Sequence, residues 1–294
     1  MTEIPKEEFI LKCTSACAGC SSSLSLRYVL KAAGPETVLV IPACCTSVIQ
    51  GVYPRTALRV PVYNIAFAAA AACASGMSAS YQKKGMKMNV IVYAGDGGTV
   101  DIGLQALSGA FERETHFLHI CYDNEAYGNT GMQRSGSTPL GAITSTTPSG
   151  KIHPKKDIDQ IVEAHRPPYM ATACSAYPLD LFQKVKTALS IEGSKFIHLL
   201  SPCPPGWRYP TEKSIEVGKL AVKTGAWILW EREHGSLRIS GPSRAAMKTP
   251  LPLEEYLKIQ GRFQAITLEQ VQELQHSITR TMERIRCELE KPCT

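Results

Sequence analysis

The sequence predicts an α/β protein, a doubly wound and mostly parallel sheet with a C-terminal extension. Three observations carry this. Short β-branched runs alternate with stretches of helical length over the first two-thirds of the chain. Those runs are apolar at nearly every position, as strands covered on both faces require. At 202–210 (PCPPGWRYP) four prolines and a glycine then stop the alternation. With 294 residues, 44% of them hydrophobic, the chain can bury a full core.

The elements follow in order. Residues 24–33 read as a helix and 37–41 (TVLVI) as the first buried strand. Residues 65–81 are Ala-rich and contain Gly76; they fall short of the roughly 20 apolar residues of a membrane span and read as a buried helix. Strand 89–93, helix 101–111, strand 117–122, helix 156–165, strand 169–174, helix 179–191 and strand 195–200 complete the alternation. Beyond 210 the pattern is less α/β in character. Thr267 and Gln270 fit a capping box. The helix they open repeats apolar residues at helical spacing: Val271, Leu274, Ile278, Met282, Ile285 and Leu289. That face packs either on its own domain or on another subunit. The expected division is an α/β domain at 1–210 and an extension at 211–294 that completes it or meets a partner.

Composition narrows the class. The net charge of +6 is dispersed, which fits ordinary solubility or attraction to anionic substrates or an acidic partner. No basic patch is interleaved with aromatics, so nucleic acid is not an expected partner. The charged start (MTEIPKEE) lacks the order of a signal peptide, and no run is long enough to enter a membrane. A cytoplasmic location is expected. Eleven cysteines are many for a reducing compartment, where Cys patterns mean metal or catalysis more often than disulfides. The basic segment His153-Pro-Lys-Lys156 reads as a solvated loop, or as a reach toward an anionic ligand.

Two constellations carry chemistry. Gly95-Asp96-Gly97 follows the run VIVY, and Asn124 lies 28 positions after Asp96, behind the run FLHICY. Two strand ends with oxygen-bearing side chains can converge on one divalent cation. Mg²⁺ takes hard oxygen ligands and is usually shared with phosphates, and parallel sheets bind ligands at their carboxyl edge. Asp96 would ligate through its carboxylate, Asn124 through its amide oxygen and Ala126 through its backbone carbonyl. Gly95 and Gly97 would let the backbone turn sharply and approach a diphosphate, with helix amides from 99–111 facing it. Gly-Asp-Gly alone is a common turn; the paired strands and the spacing carry the reading. The second constellation is Cys17 and Cys20 (C-x-x-C), Cys45 just past strand 37–41, and Cys203 just past strand 195–200. Four thiolates suit a [4Fe-4S] cluster or a structural Zn²⁺, and C-x-x-C by itself also fits a redox disulfide. Cys44 and Cys13 are the possible substitutes. Cys73, Cys121 and Cys174 read as buried small hydrophobes, and Cys287 and Cys293 have no partner motif.

The segment from Ala94 to Gln133 resembles the diphosphate motif of thiamine diphosphate enzymes. Asp101-Ile102-Gly103 and the run from Asp123 to Gln133 (DNEAYGNTGMQ) are similar to the β subunit of the 2-oxoacid:ferredoxin oxidoreductases, the pyruvate synthase family. Cys17-Ala-Gly-Cys20, Cys45 and Ser201-Pro-Cys203 match the cysteine pattern of those subunits. The resemblance implies a sheet of the thiamine-diphosphate-binding type, with thiamine diphosphate, Mg²⁺ and a [4Fe-4S] cluster as cofactors. It places Gly128 and Asn129, in Gly128-Asn-Thr-Gly131, near the thiazolium and substrate, with Asn129 catalytic. It implies oxidative decarboxylation of a small 2-oxoacid, with electrons passed to ferredoxin through clusters on another subunit; in most relatives coenzyme A captures the acyl group. Only one α/β domain is legible, so the glutamate that the aminopyrimidine needs is expected from a partner chain. One departure stands out. Many pyruvate-using relatives continue Cys-Ala-Gly-Cys with Gly-Glu, where this chain has Ser21-Ser22-Ser23. Loss of that carboxylate would weaken repulsion of an anionic substrate, which makes oxalate an alternative to pyruvate. A non-redox thiamine enzyme has no need for the four cysteines, a zinc-stabilised interaction subunit none for the metal–diphosphate spacing, and a simple iron–sulfur carrier none for so large an α/β domain.

Overall fold

A computed structural model describes residues 4–12 and 14–290, so Cys13 and Cys293 lie outside the described residues. From the amino end the chain forms α1 (Ser21–Ala33), β1 (Thr37–Pro42), α2 (Cys45–Gln50), β2 (Val62–Ile65), α3 (Ala70–Lys83) and β3 (Asn89–Gly95). A π-helical turn (Gly97–Asp101) leads into α4 (Leu104–Glu112), followed by β4 (Phe117–Asp123), α5 (Ile158–Glu163), β5 (Tyr169–Cys174), α6 (Pro178–Ser190) and β6 (Ser194–Leu200). After these come α7 (Pro204–Trp207), α8 (Ser214–Lys223), β7 (Trp230–Glu233), β8 (Ser236–Ile239), α9 (Gly241–Lys248), α10 (Leu253–Lys258) and α11 (Leu268–Glu290).

All eight strands belong to one sheet, in the order β2-β1-β3-β4-β6-β5-β7-β8. The first six run parallel, and β7 and β8 add an antiparallel edge beside β5. The chain steps outward from β1 to β2 and then returns to β3 on the other side, which puts a topological switch point between β1 and β3. Such a crevice, outside the carboxyl ends of the strands, is where open α/β sheets take ligands.

The five apolar runs lie at the centre, and the few polar side chains in them, such as Thr172 and His198, find partners inside the protein: β1, β4, β5 and β6 are buried along their whole length. One face packs beneath α1 and α6, through Leu26, Leu30, Leu181 and Val185. The other packs beneath α3, α4 and α11, through Ala74, Leu107, Phe111, Met282 and Ile285. Each such side chain contributes about 1.5–3 kcal/mol on full burial. A third cluster, around Trp207, Val217, Tyr256 and Phe263, joins α7, α8 and α10 to the end of β6.

Several elements differ from the sequence expectation. Residues 65–81 divide into the end of β2 and α3, which starts only at Ala70. The edge strand β2 is four residues long and mostly open to solvent, so it lacks the apolar run that marks its neighbours. β7 and β8 carry charges (WERE, SLRI) and turn through His234 and Gly235, both at positive φ. The C-terminal helix packs on its own sheet through Ile278, Met282 and Ile285, whereas Leu289 is exposed. Its capping box is present: Thr267 N donates to Gln270 Oε1 at 3.1 Å, and Gln270 N donates to Thr267 Oγ1 at 3.2 Å. Cys121 and Cys174 are buried, but Cys73, packed at the margin of the core beneath α3, is only half-buried.

Candidate active site

At the switch point a cavity of about 180 Å³ opens beyond the carboxyl ends of β1, β3 and β4. Its walls include Cys44, Cys45, Phe67, Gly95, Asp96, Gly97, Tyr122, Asn124, Ala126, Gly128 and Asn129. A wider cleft of about 810 Å³ lies near the amino ends of β5 and β6 and holds none of the residues singled out in the sequence.

Asp96 follows β3 and is 2% exposed. Burial pushes its carboxyl well above the ordinary range, and the neighbouring charge of Asp123 pushes further; Ser135 Oγ opposes this by donating to Asp96 Oδ2 at 2.5 Å. The second strand end brings Asn124 opposite. The oxygen end of the Asn124 amide faces the Ala126 carbonyl oxygen at 2.7 Å and Asp96 Oδ1 at 3.1 Å; with the amide reversed, Nδ2 would donate to both. Octahedral ligands at about 2.0–2.1 Å from Mg²⁺ have neighbouring oxygens about 3 Å apart, so an Asn124 amide presenting its oxygen at this end would suit one such ion, whereas its nitrogen there hydrogen-bonds both oxygens without one. A buried carboxylate with too little compensation beside two oxygen donors is the environment a divalent cation would stabilise. On both counts the residues present fit Mg²⁺.

The glycines act differently from the expected sharp turn. Asp96 is αR, and neither Gly95 nor Gly97 adopts a positive φ. Their requirement is space. A Cβ on Gly97 would come within 2.2 Å of the Tyr127 ring, and one on Gly128 within 2.9 Å of Asn124 Nδ2 and 3.3 Å of Cys45 Sγ. The turn after Asp96 is π-helical, and the Thr99 and Val100 amides return to the Asp96 carbonyl. The amides left at its open end are those of Gly97 and Gly98. Asn129 is exposed at the cavity mouth.

The four cysteines come from three places beside this cavity. Cys20 caps α1, its Sγ accepting from Ser23 N at 3.4 Å. The intervening Gly19 has φ +70°, and a Cβ there would meet Thr211 O at 2.3 Å. Cys45 opens α2, and Cys203 caps α7, with its carbonyl accepting from Trp207 N at 2.8 Å. Burial pushes the Cys45 thiol up to about 12, with added repulsion from Cys203, Cys44, Cys20 and Cys17. Burial also pushes Cys203 up to about 12, with Cys20 and Cys17 adding to it. Four thiols near enough to repel one another, three of them largely shielded from water and Cys17 exposed, fit a cationic centre that would hold them as thiolates. Among the described residues no three His, Cys, Asp or Glu side chains close around a single point as one ion requires. In a four-iron cluster each cysteine takes its own iron, so the sulfurs stand further apart. Cys44 is turned elsewhere, toward the Tyr122 hydroxyl.

Several residues at the site were not singled out in the sequence. His198 on β6 bridges two carboxylates, Asp123 Oδ2 at 2.9 Å and Asp159 Oδ1 at 3.0 Å. Burial opposes its charge, but the Asp159 charge and the hydrogen bonds to both carboxylates outweigh it and push His198 up to about 10. Trp207 Nε1 donates to the Asn124 carbonyl at 2.7 Å, and Arg262 pairs with Glu125 at 2.6 Å. Each partner is remote in sequence, so no local spacing could reveal it. The segment 153–156 is not a free basic loop: Lys155 Nζ lies 3.4 Å from Glu125, and Lys156 Nζ donates to the Val100 carbonyl at 2.6 Å and to Asp101 at 3.1 Å.

Ser21 and Ser22 are buried in the first turn of α1, where Tyr93 Oη donates to the Ser22 carbonyl at 2.9 Å. Neither lines the cavity.

Residues 43–199 match the family described as thiamine pyrophosphate enzyme, C-terminal TPP binding domain. The ketoisovalerate oxidoreductase subunit VorB of Pyrococcus horikoshii is 49% identical over 96% of this chain and 94% of that one. The pyruvate synthase subunit PorB of Methanothermobacter marburgensis is 46% identical over 97% of this chain and 99% of that one. Among solved structures, a 2-oxoglutarate:ferredoxin oxidoreductase from Magnetococcus marinus shares the fold, with a TM-score of 0.60 and 19% identity over 72% of this chain and 79% of that one. With cavity, sheet and relatives in agreement, the chain belongs to the thiamine pyrophosphate enzymes and, among them, to the 2-oxoacid:ferredoxin oxidoreductase subunits represented by VorB and PorB.

Proposed function

We propose that this chain is the β subunit that holds Mg²⁺ and thiamine diphosphate in an oxidoreductase acting on a small 2-oxoacid, and that it carries the [4Fe-4S] cluster through which electrons leave for ferredoxin. The observation that carries the reading is the meeting of Asp96 Oδ1 and the Ala126 carbonyl oxygen around one end of the Asn124 amide, 3.1 and 2.7 Å from it, at the switch point. Asp96 Oδ1, Asn124 Oδ1 and the Ala126 carbonyl would hold Mg²⁺. The Gly97 and Gly98 amides would face the diphosphate, Gly95 and Gly128 would leave room for it, and Asn129 would meet the substrate at the mouth. Cys17, Cys20, Cys45 and Cys203 would hold the cluster. When bound, thiamine diphosphate supplies the electron sink for loss of CO₂ from the 2-oxoacid, and the cluster accepts the electrons singly. The chain's own residues bind and orient: Ser135 fixes one Asp96 oxygen and leaves the other for the metal, while Phe67 and Tyr127 wall off water.

Two features support a shared site. The cavity is smaller than the roughly 300–1,000 Å³ of ordinary small-molecule pockets, and among the described residues Asp96 is the only acid lining it. A glutamate for the aminopyrimidine would therefore come from a partner subunit, and further clusters from another. Among candidate substrates, pyruvate and branched 2-oxoacids come first, because VorB and PorB, nearly half identical to this chain, are named for ketoisovalerate and pyruvate. The case for oxalate rested on a missing carboxylate at the cavity, and Ser21 and Ser22 lie buried away from its walls. Coenzyme A would take the acyl group. Among the described residues no helix is long and apolar enough to cross a membrane, and cysteines that are to hold a cluster need a compartment that keeps thiols reduced, as the cytoplasm does.

The test is purification with partner subunits under nitrogen, analysis of bound thiamine diphosphate, magnesium, iron and sulfide, and turnover of pyruvate, ketoisovalerate and oxalate with ferredoxin. Zinc in place of iron, or preparations that bind no thiamine diphosphate, would overturn the reading.

A further inference from the structure

Glu125 stands between Asn124, one end of whose amide lies 3.1 Å from Asp96 Oδ1, and Ala126, whose carbonyl oxygen lies 2.7 Å from that same amide end. Its φ of 60° puts a non-glycine residue in the left-handed region, a conformation that its surroundings must hold. Its buried carboxylate accepts from Arg262 Nη2 at 2.6 Å and lies 3.4 Å from Lys155 Nζ. Arg262 is itself 2% exposed and donates from Nε to Gln260 Oε1 at 2.9 Å. Its guanidinium lies 3.7 Å from the centre of the Trp207 ring. Trp207 Nε1 in turn donates to the Asn124 carbonyl at 2.7 Å. Arg262 therefore reaches the loop twice, directly at Glu125 and through Trp207 at Asn124. Relaxing Glu125 out of the left-handed region would rotate the next peptide and carry the Ala126 carbonyl away from the Asn124 amide.

We propose that Arg262 is a positioning residue of the cofactor site: it holds Glu125 and Asn124 so that the Asn124 amide stays beside Asp96, and the Ala126 carbonyl beside that amide, before the metal arrives. The proposal rests on the Mg²⁺–thiamine diphosphate reading above. It brings into the site a residue far past the 43–199 family match and within the segment set apart in the sequence as an extension. Because Trp207 ends the short helix that Cys203 begins, the same contact ties the metal loop to the cysteine side of the cavity.

The experiment compares wild type, Arg262→Met and Arg262→Lys, each purified with its partner subunits and stripped of thiamine diphosphate and Mg²⁺. Binding of thiamine diphosphate is titrated calorimetrically across a range of Mg²⁺ concentrations. Removal of a residue that orients metal ligands weakens metal affinity by about 10–100-fold, and that is the loss expected for Arg262→Met. Arg262→Lys keeps a charge on Glu125 but loses the flat contact with Trp207 and the forked donors, so an intermediate loss is expected. Iron and sulfide content should be unchanged. Lys184→Met is the control for destabilisation alone: Lys184 is as buried, but its partners are Asp180, Ser240 and the Thr172 carbonyl. It should lower the melting temperature and leave the affinity as in wild type. Should Arg262→Met fail to fold, Arg262→Lys decides the matter alone. Wild-type affinity in the Arg262 variants, or an equal loss in Lys184→Met, would overturn the proposal. A wild type that binds no thiamine diphosphate would instead overturn the cofactor reading beneath it.

Discussion

Replacing His198 by Leu removes the cation that lets Asp123 stay ionised with a fully buried side chain. In the wild type, burial pulls the Asp123 carboxyl up, but the hydrogen bond and charge of His198 outweigh it and leave Asp123 below its ordinary value. Taking one member from a buried pair costs about 3–5 kcal/mol, because the other is left uncompensated. At about 2 °C per kcal/mol for a chain of this size, the melting temperature should fall by about 6–10 °C. The pH dependence gives a second handle. A histidine whose folded pKa is raised from 6.5 to about 10 contributes stability that is complete below 6.5 and lost as pH rises through 10. In the variant, the stranded Asp123 can instead take up a proton as pH falls, which recovers part of the loss. The gap between wild type and His198→Leu should therefore be widest near neutral pH and narrow on both sides. Denaturant unfolding measured from pH 5 to about 10 checks this range. Equal stability at pH 7, or a gap independent of pH, would refute the charge argument.

Other changes test the site itself. Gly97→Ala places a Cβ 2.2 Å from the Tyr127 ring, an overpacking worth about 1–3 kcal/mol. It should preserve the far-ultraviolet circular dichroism and weaken thiamine diphosphate binding in a titration; unchanged binding would mean that Tyr127 can move aside freely. Trp207→Phe leaves the Asn124 carbonyl without its donor, at about 1–3 kcal/mol. A higher Mg²⁺ requirement for cofactor binding is the expected result, and an unchanged requirement counts against the role of Trp207. Cys45→Ser should abolish the visible absorption of the cluster, whereas Cys44→Ser should keep it; the reverse pattern would exchange the two residues.

The sheet was legible wherever a strand is buried on both faces, because there the core dictates residue type at every position. The runs at 37–41, 89–93, 117–122, 169–174 and 195–200 all appear as strands, extended by a residue or two at most. Where the sheet meets solvent the signal fails. β2 has no apolar run, and β7 and β8 carry four charged residues in Glu231, Arg232, Glu233 and Arg238, held by main-chain pairing with β5 and with each other. The same division runs through the site. Asp96, Asn124 and the cysteines could be singled out because the metal chemistry proposed for them constrains residue type and spacing within short motifs. Ser135, His198, Trp207 and Arg262 did not, since each meets its partner across at least 39 positions of sequence. The expected glycine turn also misread its cause. Gly97 makes room for an aromatic ring that arrives thirty residues later, a steric fact visible only after folding.

The central claim is that one cavity joins a Mg²⁺–thiamine diphosphate clamp to an iron–sulfur centre. It is tested most directly by following the visible absorption of the complex anaerobically as a 2-oxoacid is added, in wild type and in Asp96→Ala. Substrate-dependent bleaching is expected in the wild type, and in Asp96→Ala an intact cluster spectrum that the substrate no longer bleaches. Bleaching of Asp96→Ala at the wild-type rate, with no added Mg²⁺ or thiamine diphosphate, would contradict it.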